Sequence, residues 1–174
     1  MIISLEEFQK YTGIIDDNDT INQIYIDTAE ELIKNYLGYN PNLTEYNEYY
    51  SGDGTQTLQL SAKPVETITA FTIDGVSYQA EYFYIQDESL FLFDKTFNEG
   101  TRNIHLEYTA GYSPLLGIFK MTCLRLSSLL ATEAEGNIGI TSKSFQDAGT
   151  RTFLNTTNYD KYLQVLSPYR IRKL

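Results

Sequence analysis

Two periodicities divide the chain. Over residues 4–37, and again from Pro114 to about residue 136, apolar side chains recur at the three- and four-residue steps of helices. Between them, over residues 45–108, apolar residues alternate or run together in short β-branched and aromatic stretches broken by turns, which predicts strands. In the first region Ser4 with Glu7 reads as a capping box opening a short helix, with Leu5, Phe8 and Tyr11 on adjoining faces and Gly13 at its end. Thr20 with Gln23 reads as a second capping box. Behind it Ile21, Ile24, Ala29, Leu32, Ile33, Tyr36 and Leu37 form a buried stripe that Gly38 and Pro41 close.

In the middle region "YYSGDGTQTLQL" predicts a hairpin turning on Gly52-Asp53-Gly54, and "FTIDGVSY" a second turning on Asp74-Gly75. Residues 82–85 and 90–93 are apolar on both faces. A flat sheet with one wet side does not need that, so these strands are expected to curl into a small barrel or sandwich, or to pack a face on the helices. Residues 103–108 alternate cleanly, with Ile104, Leu106 and Tyr108 facing one way.

The stretch "HLEYTAGYSPLLGIF", residues 105–119, changes from strand to helix period within a few residues. Ser113 can cap there and Pro114 can take the first helical position, where its missing N–H costs nothing. A long central helix follows, with Leu115, Ile118, Phe119, Thr122, Leu126, Leu129 and Leu130 on one face, Cys123 and Leu124 widening it, and Gly136 ending it. Residues 137–157 are polar and irregular and read as an extended arm. A final short helix begins near Asn158 and carries Tyr162, Leu163, Val165 and Leu166 ahead of the basic end Tyr169-Arg170-Ile171-Arg172-Lys173.

The expected class is therefore α+β: a helical bundle of N-terminal helices plus long central and C-terminal helices, with an inserted antiparallel β section. As one domain over residues 1–174, the body is 1–44 and 111–174 and the insertion 45–110.

Composition narrows the chemistry. A hydrophobic share of 42% and a charged share of 21% are those of a globular chain, and no apolar run approaches the roughly 20 residues that span a bilayer. The start "MIISLEE" lacks the basic and apolar runs of a secretory signal, so synthesis in the cytosol and no membrane are expected. The single cysteine, Cys123, sits among Met121, Leu124 and Leu126 and reads as a buried thiol. The single histidine, His105, leaves one imidazole for any triad and excludes multi-histidine metal sites. A net charge of -10, from 23 acidic and 13 basic residues, argues against gripping nucleic acid but not against DNA passing by. Fifteen tyrosines with no tryptophan are material for half-wet contact surfaces.

Each chemical motif has a plainer reading. A catalytic bend would need His105 beside Thr109 or Ser113, yet the G-x-S-x-G elbow is absent and the bend reads as structural. "DDNDT", residues 16–20, lacks the glycine and the terminal glutamate of a calcium loop, and "SGDGT" lacks the Lys-Ser/Thr of a phosphate loop. The pairs Glu6-Glu7, Glu30-Glu31 and Glu133 with Glu135 sit on single helices, pointing apart, where glycosidase carboxylates face each other across a cleft. No catalytic residue, cofactor or metal is assigned.

The order of these features carries a resemblance. "SLEEFQKYTGI", a helix of the form "YIDTAEELIKNYLGYNP", a glycine-centred hairpin, "LQLSAKPVETI", a "DG" turn, "HLEYTAGYSP" before a long helix, "EGNIGITSKS" and a closing "YR" together resemble the tailed-phage head-to-tail adaptor family, also called connector or head-completion proteins. The resemblance implies a structural virion protein, assembled in the bacterial cytoplasm. It would form a ring, commonly of twelve subunits, beneath the portal, extend the DNA channel and offer a platform to a stopper or tail-completion protein. DNA would pass without specific binding. By position, Tyr169, Arg170, Arg172 and Lys173 are the expected portal contacts. The alternative from another class is a carbohydrate-binding or host-recognition module stacking sugars on Tyr46, Tyr49 and Tyr50.

Overall fold

The computed structural model describes residues 1–13, 18–134, 142–145, 149–152 and 159–171. Among them the chain runs α1 (Leu5–Thr12), α2 (Asp19–Leu37), β1 (Thr44–Gly52), β2 (Thr57–Gln59), β3 (Val65–Ile73), β4 (Val76–Ser77), β5 (Phe83–Gln86), β6 (Ser89–Leu92), β7 (Gly100–Ala110), α3 (Gly117–Ala134), β8 (Ser142–Phe145), β9 (Gly149–Thr152) and α4 (Tyr159–Leu163). The class is α+β with antiparallel sheets. The chain separates into two compact units, Met1–Tyr36 with Gly117–Arg170, and Leu37–Leu116 with Ile171.

In the helical unit α1 opens as its sequence dictates. The Glu7 amide donates to Ser4 Oγ at 3.1 Å and the Ser4 amide donates to the Glu7 carboxylate at 2.9 Å, so two otherwise orphaned donors are satisfied reciprocally. Phe8 is fully buried. The second box does not form. Helix α2 starts at Asp19, the carbonyl of Asn18 takes the amides of Ile21 and Asn22 at 3.0 and 3.2 Å, and the Gln23 amide group is spent on Asp27 at 2.8 Å. Thr20 is thus already inside the helix. The buried stripe also rotates: Asn22, Ile26, Ala29, Glu30, Ile33 and Leu37 face inward, while Ile21 and Ile24 are exposed. Glu30 is buried usefully, since its carboxylate accepts the Ile2 amide and lies 3.3 Å from Lys34 Nζ.

Helix α3 packs against α1 and α4 and buries Phe119, Thr122, Cys123, Leu126, Ser127 and Ala131. Leu129 and Leu130 are only half-buried. It begins at Gly117, not at Pro114, because the preceding strand keeps its hydrogen bonds through Tyr112, and residues 113–116 are used as a connector. Residues 142–152 are not wholly irregular either: β8 and β9 pair from Ser142↔Thr152 to Phe145↔Gly149. Their polar residues hide the apolar alternation by which a strand is usually read. Gly136, Asn158 and the rest of 137–157 lie outside the described residues. Helix α4 runs on into a 3-10 turn, Gln164–Tyr169, with Leu163 and Leu166 buried and Val165 exposed.

The β unit holds two sheets, ordered β1-β7-β3-β4 and β2-β6-β5. Strand β7 is central to the first and buries Ile104, Leu106, Tyr108 and Ala110, as its alternation requires. The Asp74-Gly75 hairpin forms, with both residues at positive φ, 51° and 78°, and Ile73 opposite Val76. The Gly52-Asp53-Gly54 hairpin does not. β1 pairs with β7 and β2 with β6, so the glycine corner carries the chain from one sheet to the other. There Gly52 is pressed onto Asn98, where an added Cβ would lie 2.0 Å from a backbone oxygen. The sheets meet through aromatic rings: Phe71 of β3 stands edge-on to Phe83 of β5 at 5.3 Å and contacts Phe97 at 6.3 Å.

At the strand-to-helix switch Gly111 has φ 120°, donates its amide to Pro64 at 2.9 Å and would meet Asn42 O at 2.4 Å if it had a Cβ. Only glycine fits there. The bend is held by packing and main-chain bonds.

Candidate functional site

The C-terminal segment is anchored to the helical unit by its ring and its cation. Tyr169 stands edge-on to Phe119 of α3 at 5.1 Å, and the Arg170 guanidinium lies 4.7 Å over the ring of Tyr36. The Arg170 amide closes the 3-10 turn on Ser167 at 3.3 Å. Of the four basic-end residues singled out by position, Tyr169 and Arg170 are therefore engaged within the chain. Arg172 and Lys173 lie outside the described residues.

The residues that a hydrolase would use are kept apart. His105 Nε2 lies 3.0 Å from Asn47 Oδ1 and 3.7 Å from Glu107, and its ring stacks on Tyr49 at 4.5 Å. The Thr109 hydroxyl is shared with Thr67 at 2.6 Å, and Ser113 is exposed in the connector. The three candidate stacking tyrosines divide between two faces of β1. Tyr46 and Tyr50 point inward, Tyr46 lying flat on Tyr108 at 5.1 Å. Only Tyr49 is exposed, and it already carries His105 on its ring and Arg102 at 5.1 Å. The open outer side of this sheet forms a shallow depression lined by Glu45, Asn47, Thr69, Glu107 and Thr109, with Tyr46 and Tyr108 beneath.

Sequence reasoning missed a polar cluster on the inner side. The Glu48 carboxylate accepts the hydroxyls of Tyr50, of Ser61 at 2.6 Å and of Tyr108 at 2.8 Å, and the Tyr108 hydroxyl lies 3.0 Å from Ser61 and 3.2 Å from Tyr50. Burial, reinforced by Tyr50 and Glu48, pushes the Tyr108 phenol far above the ordinary range, and burial, with the Glu48 carboxylate adding to it, raises Tyr50. Tyr39 is also shifted well up, by burial and then by Tyr112. The one signal that could have pointed here was Glu48 itself, an acid at an inward position of an alternating strand.

Other motifs resolve into local bonds. Asp53 accepts the Thr55 hydroxyl at 2.6 Å and its amide at 3.0 Å, which lowers its carboxyl below the usual range and makes the "SGDGT" corner an Asx-type turn. Asp19 accepts from Gln9 at 2.9 Å, while Asp16 and Asp17 lie outside the described residues. Glu6 pairs with Lys10 and Glu7 with Lys120 of α3, whose ammonium, 2.8 Å away, holds the Glu7 carboxyl low. The side chains of Glu133 and Glu135 are not among those described. Among the described residues no group of three or more His, Cys, Asp or Glu side chains is placed to hold a metal ion, and no helix is long and apolar enough to cross a membrane.

Among the described residues His105 is bonded to Asn47 and Thr109 to Thr67, and the decisive observation is the likeness of the whole chain. Residues 1–170 match the family model described as head completion protein. The chain belongs to the head completion protein family. This family is one of viral structural proteins of the bacteriophage head–tail connector. Solved structures share the fold from end to end. A chain in the neck of an empty gene transfer agent (GTA) particle, computed with C6 symmetry, superposes with a TM-score of 0.66 at 13% identity, covering 99% of this chain and 92% of that one. A chain of a native GTA virion gives 0.65 at 13% identity over 99% and 92%. One from the neck of the native particle, computed with C12 symmetry, gives 0.63 at 14% over 98% and 90%. No curated protein matches this head completion family member significantly.

Proposed function

We propose that this chain is a head-to-tail adaptor subunit: a structural protein without catalysis that forms a ring beneath the portal of a phage-type particle, extends the DNA channel and presents a platform to a stopper or tail-completion protein. The observation that carries this reading is the family match over residues 1–170, supported by a fold shared along the whole chain with neck proteins. In this reading the helical unit, the expected body of the ring, and the β unit, the expected insertion, are two parts of one adaptor. Each chain brings a formal charge of -10, so a closed ring is strongly negative and its lumen repels the phosphate backbone, letting the genome slide.

The C-terminal end is the portal contact. Tyr169 and Arg170 fix the segment against Phe119 and Tyr36, and Arg172 and Lys173, which follow, meet acidic portal groups. Assembly takes place in the bacterial cytoplasm and the mature location is the head–tail interface of the virion.

Electron microscopy of the cognate portal mixed with micromolar protein tests this directly. A ring is expected on the portal, and Arg172→Glu with Lys173→Glu is expected to weaken its docking most at low salt. A portal left bare by the wild-type protein would refute the reading.

A further inference from the structure

Strand β1 is an open edge of its sheet. It pairs with β7 on one side, and among the described residues the main chain of residues 45–51 makes no hydrogen bond to a backbone group on the other. Burial agrees: none of its nine residues is buried, whereas the inward residues of the central β7 are. An extended edge of this length presents a row of unpaired donors and acceptors to which a further strand can add. The devices that usually guard such an edge are sparse, since β1 contains no proline and no lysine, and its one outward charge, Glu45, stands at its beginning.

The far end of the edge carries a cation. Between the pairs Tyr50↔Ile104 and Gly52↔Gly100, β7 has more residues than β1 and bulges. Arg102 sits in that bulge with φ 53°, its amide donating to Ser51 Oγ at 3.0 Å. The other described non-glycine residues at positive φ are Asp74, Asp87 and Asp94, of a type that tolerates the left-handed region; an arginine there is a local cost, and bulges re-aim side chains. The Arg102 guanidinium lies 5.1 Å over the ring of Tyr49. That ring is held in turn: His105 stacks on it at 4.5 Å, His105 Nε2 lies 3.0 Å from Asn47 Oδ1, and Asn47 Nδ2 donates to Glu107 at 2.9 Å. Lys10, Lys34, Lys63 and Lys120 each have a glutamate within 4.0 Å, but among the described residues Arg102 has no carboxylate that near. A guanidinium resting on a ring keeps its in-plane N–H donors for a planar acceptor.

We propose that the free edge of β1 receives an extended segment of a partner protein, and that an aspartate or glutamate of that segment pairs with Arg102. This goes beyond the adaptor reading and does not depend on it. Neighbouring strands lie about 4.8 Å apart, so an acidic residue set opposite Tyr49 on an added strand comes within reach of the cation resting on that ring. Main-chain bonds along β1 supply the affinity, and the charge fixes the direction of the segment, with its acid at the Arg102 end and a neutral or basic residue opposite Glu45. A nucleic acid fits less well. Its successive phosphates would also face Glu45, Glu107 and a chain of net charge -10, whereas one carboxylate needs one cation.

The test uses the full-length protein labelled with nitrogen-15 and a short synthetic peptide of alternating valine and threonine bearing one glutamate, with a twin that has glutamine in its place. At low salt the glutamate peptide should bind about threefold to fivefold more tightly than its twin, shift the amides of β1 and slow their hydrogen exchange, and salt should erode the difference. Arg102→Gln should abolish the preference for glutamate, and Lys95→Gln, which removes another exposed cation lying over a ring, should keep it. Arg102→Gly should also abolish the preference, yet its urea midpoint should not fall below wild type, because glycine relieves the positive φ.

Equal affinity for the two peptides, or no binding by the wild type, overturns the inference. So does binding that leaves β1 exchange unchanged, or a lowered midpoint in Arg102→Gly, which would give the arginine a structural role. A short single-stranded oligonucleotide that protects β1 more strongly than the peptide assigns the edge to nucleic acid, and protection that rises with protein concentration alone assigns it to a second copy; either result also overturns it.

Discussion

Replacing Glu48 by alanine removes the acceptor on which three hydroxyls converge, those of Tyr50, Ser61 and Tyr108. A hydrogen bond to a charged group is worth about 1.5–3 kcal/mol, which as a bare sum overstates the loss. Two effects reduce it. The freed hydroxyls still have one another, at 3.0 Å for Ser61 with Tyr108 and 3.2 Å for Tyr50 with Tyr108. Removing a half-buried carboxylate also removes its desolvation cost. The expected net destabilisation is about 2–3 kcal/mol for Glu48→Ala and about 1–2 kcal/mol for Tyr108→Phe, which deletes one donor and keeps the buried ring.

Because the two groups bond directly, the double variant should cost less than both losses together, by about 1–2 kcal/mol. Urea unfolding followed by tyrosine fluorescence measures this. With a slope of about 1–3 kcal/mol per molar urea, Glu48→Ala should lower the midpoint by roughly 1 M at unchanged slope. Strict additivity of the two substitutions, within about 0.5 kcal/mol, would show that the cluster is a set of independent surface bonds and refute the reasoning.

Three further outcomes are expected. Tyr39 and Tyr108 hold their phenols protonated above the ordinary value while unfolded tyrosines ionise near about pH 10, so their contribution is complete below that pH and is lost as pH rises through it, by about 1.4 kcal/mol per pH unit for each phenol. Urea midpoints across the alkaline range, paired with tyrosinate absorbance, check this; a single ordinary titration of all tyrosines in the folded chain would contradict it. Burial pushes the Cys123 thiol up to about 12, with Glu30 adding to the shift, so an aromatic disulfide reagent should leave the native protein unlabelled and react once per chain in urea. Prompt native labelling would place the thiol elsewhere than in the core of α3. Gly52→Ala drives a Cβ to 2.0 Å from Asn98 O, an atom of the backbone that cannot swing away, and should cost about 2–4 kcal/mol of thermal or urea stability; a loss under about 1 kcal/mol would mean that the corner between the sheets moves freely.

What the sequence made legible was local. Ser4 and Glu7 are three residues apart and can only cap one turn, and Asp74-Gly75 can only close the strands beside it; both elements stand where local chemistry puts them. Pairing over distance was not legible. Gly52-Asp53-Gly54 has the composition of a hairpin turn, but a turn does not record which strands it joins, and β1 finds its partner about sixty positions on, Tyr46 opposite Tyr108. The same limit hid the Glu48 cluster, whose members come from β1, β7 and the segment after β2. Pro114 fits a helix start by its own grammar, and what displaced that start to Gly117 was the hold of Pro41 and Pro64 carbonyls on Tyr112 and Gly111, again remote in sequence. At the basic end, position could nominate Arg170, but the ring of Tyr36 beneath it belongs to the other end of the chain.

The tyrosine count shows how composition and structure answer different questions. Fifteen tyrosines read as contact-surface material, yet Tyr39, Tyr46, Tyr50 and Tyr108 face inward in the β unit, where the hydroxyls of Tyr50 and Tyr108 find a carboxylate, a serine and one another, while the buried Tyr46 hydroxyl has no hydrogen-bond partner among the described residues. The outward rings, Tyr84 with Phe91 and Phe93, include two phenylalanines that the count ignored; they alternate along β5 and β6 with Phe83, Leu90 and Leu92, which face the other sheet, so a run of apolar residues in sequence resolves into two different faces in space.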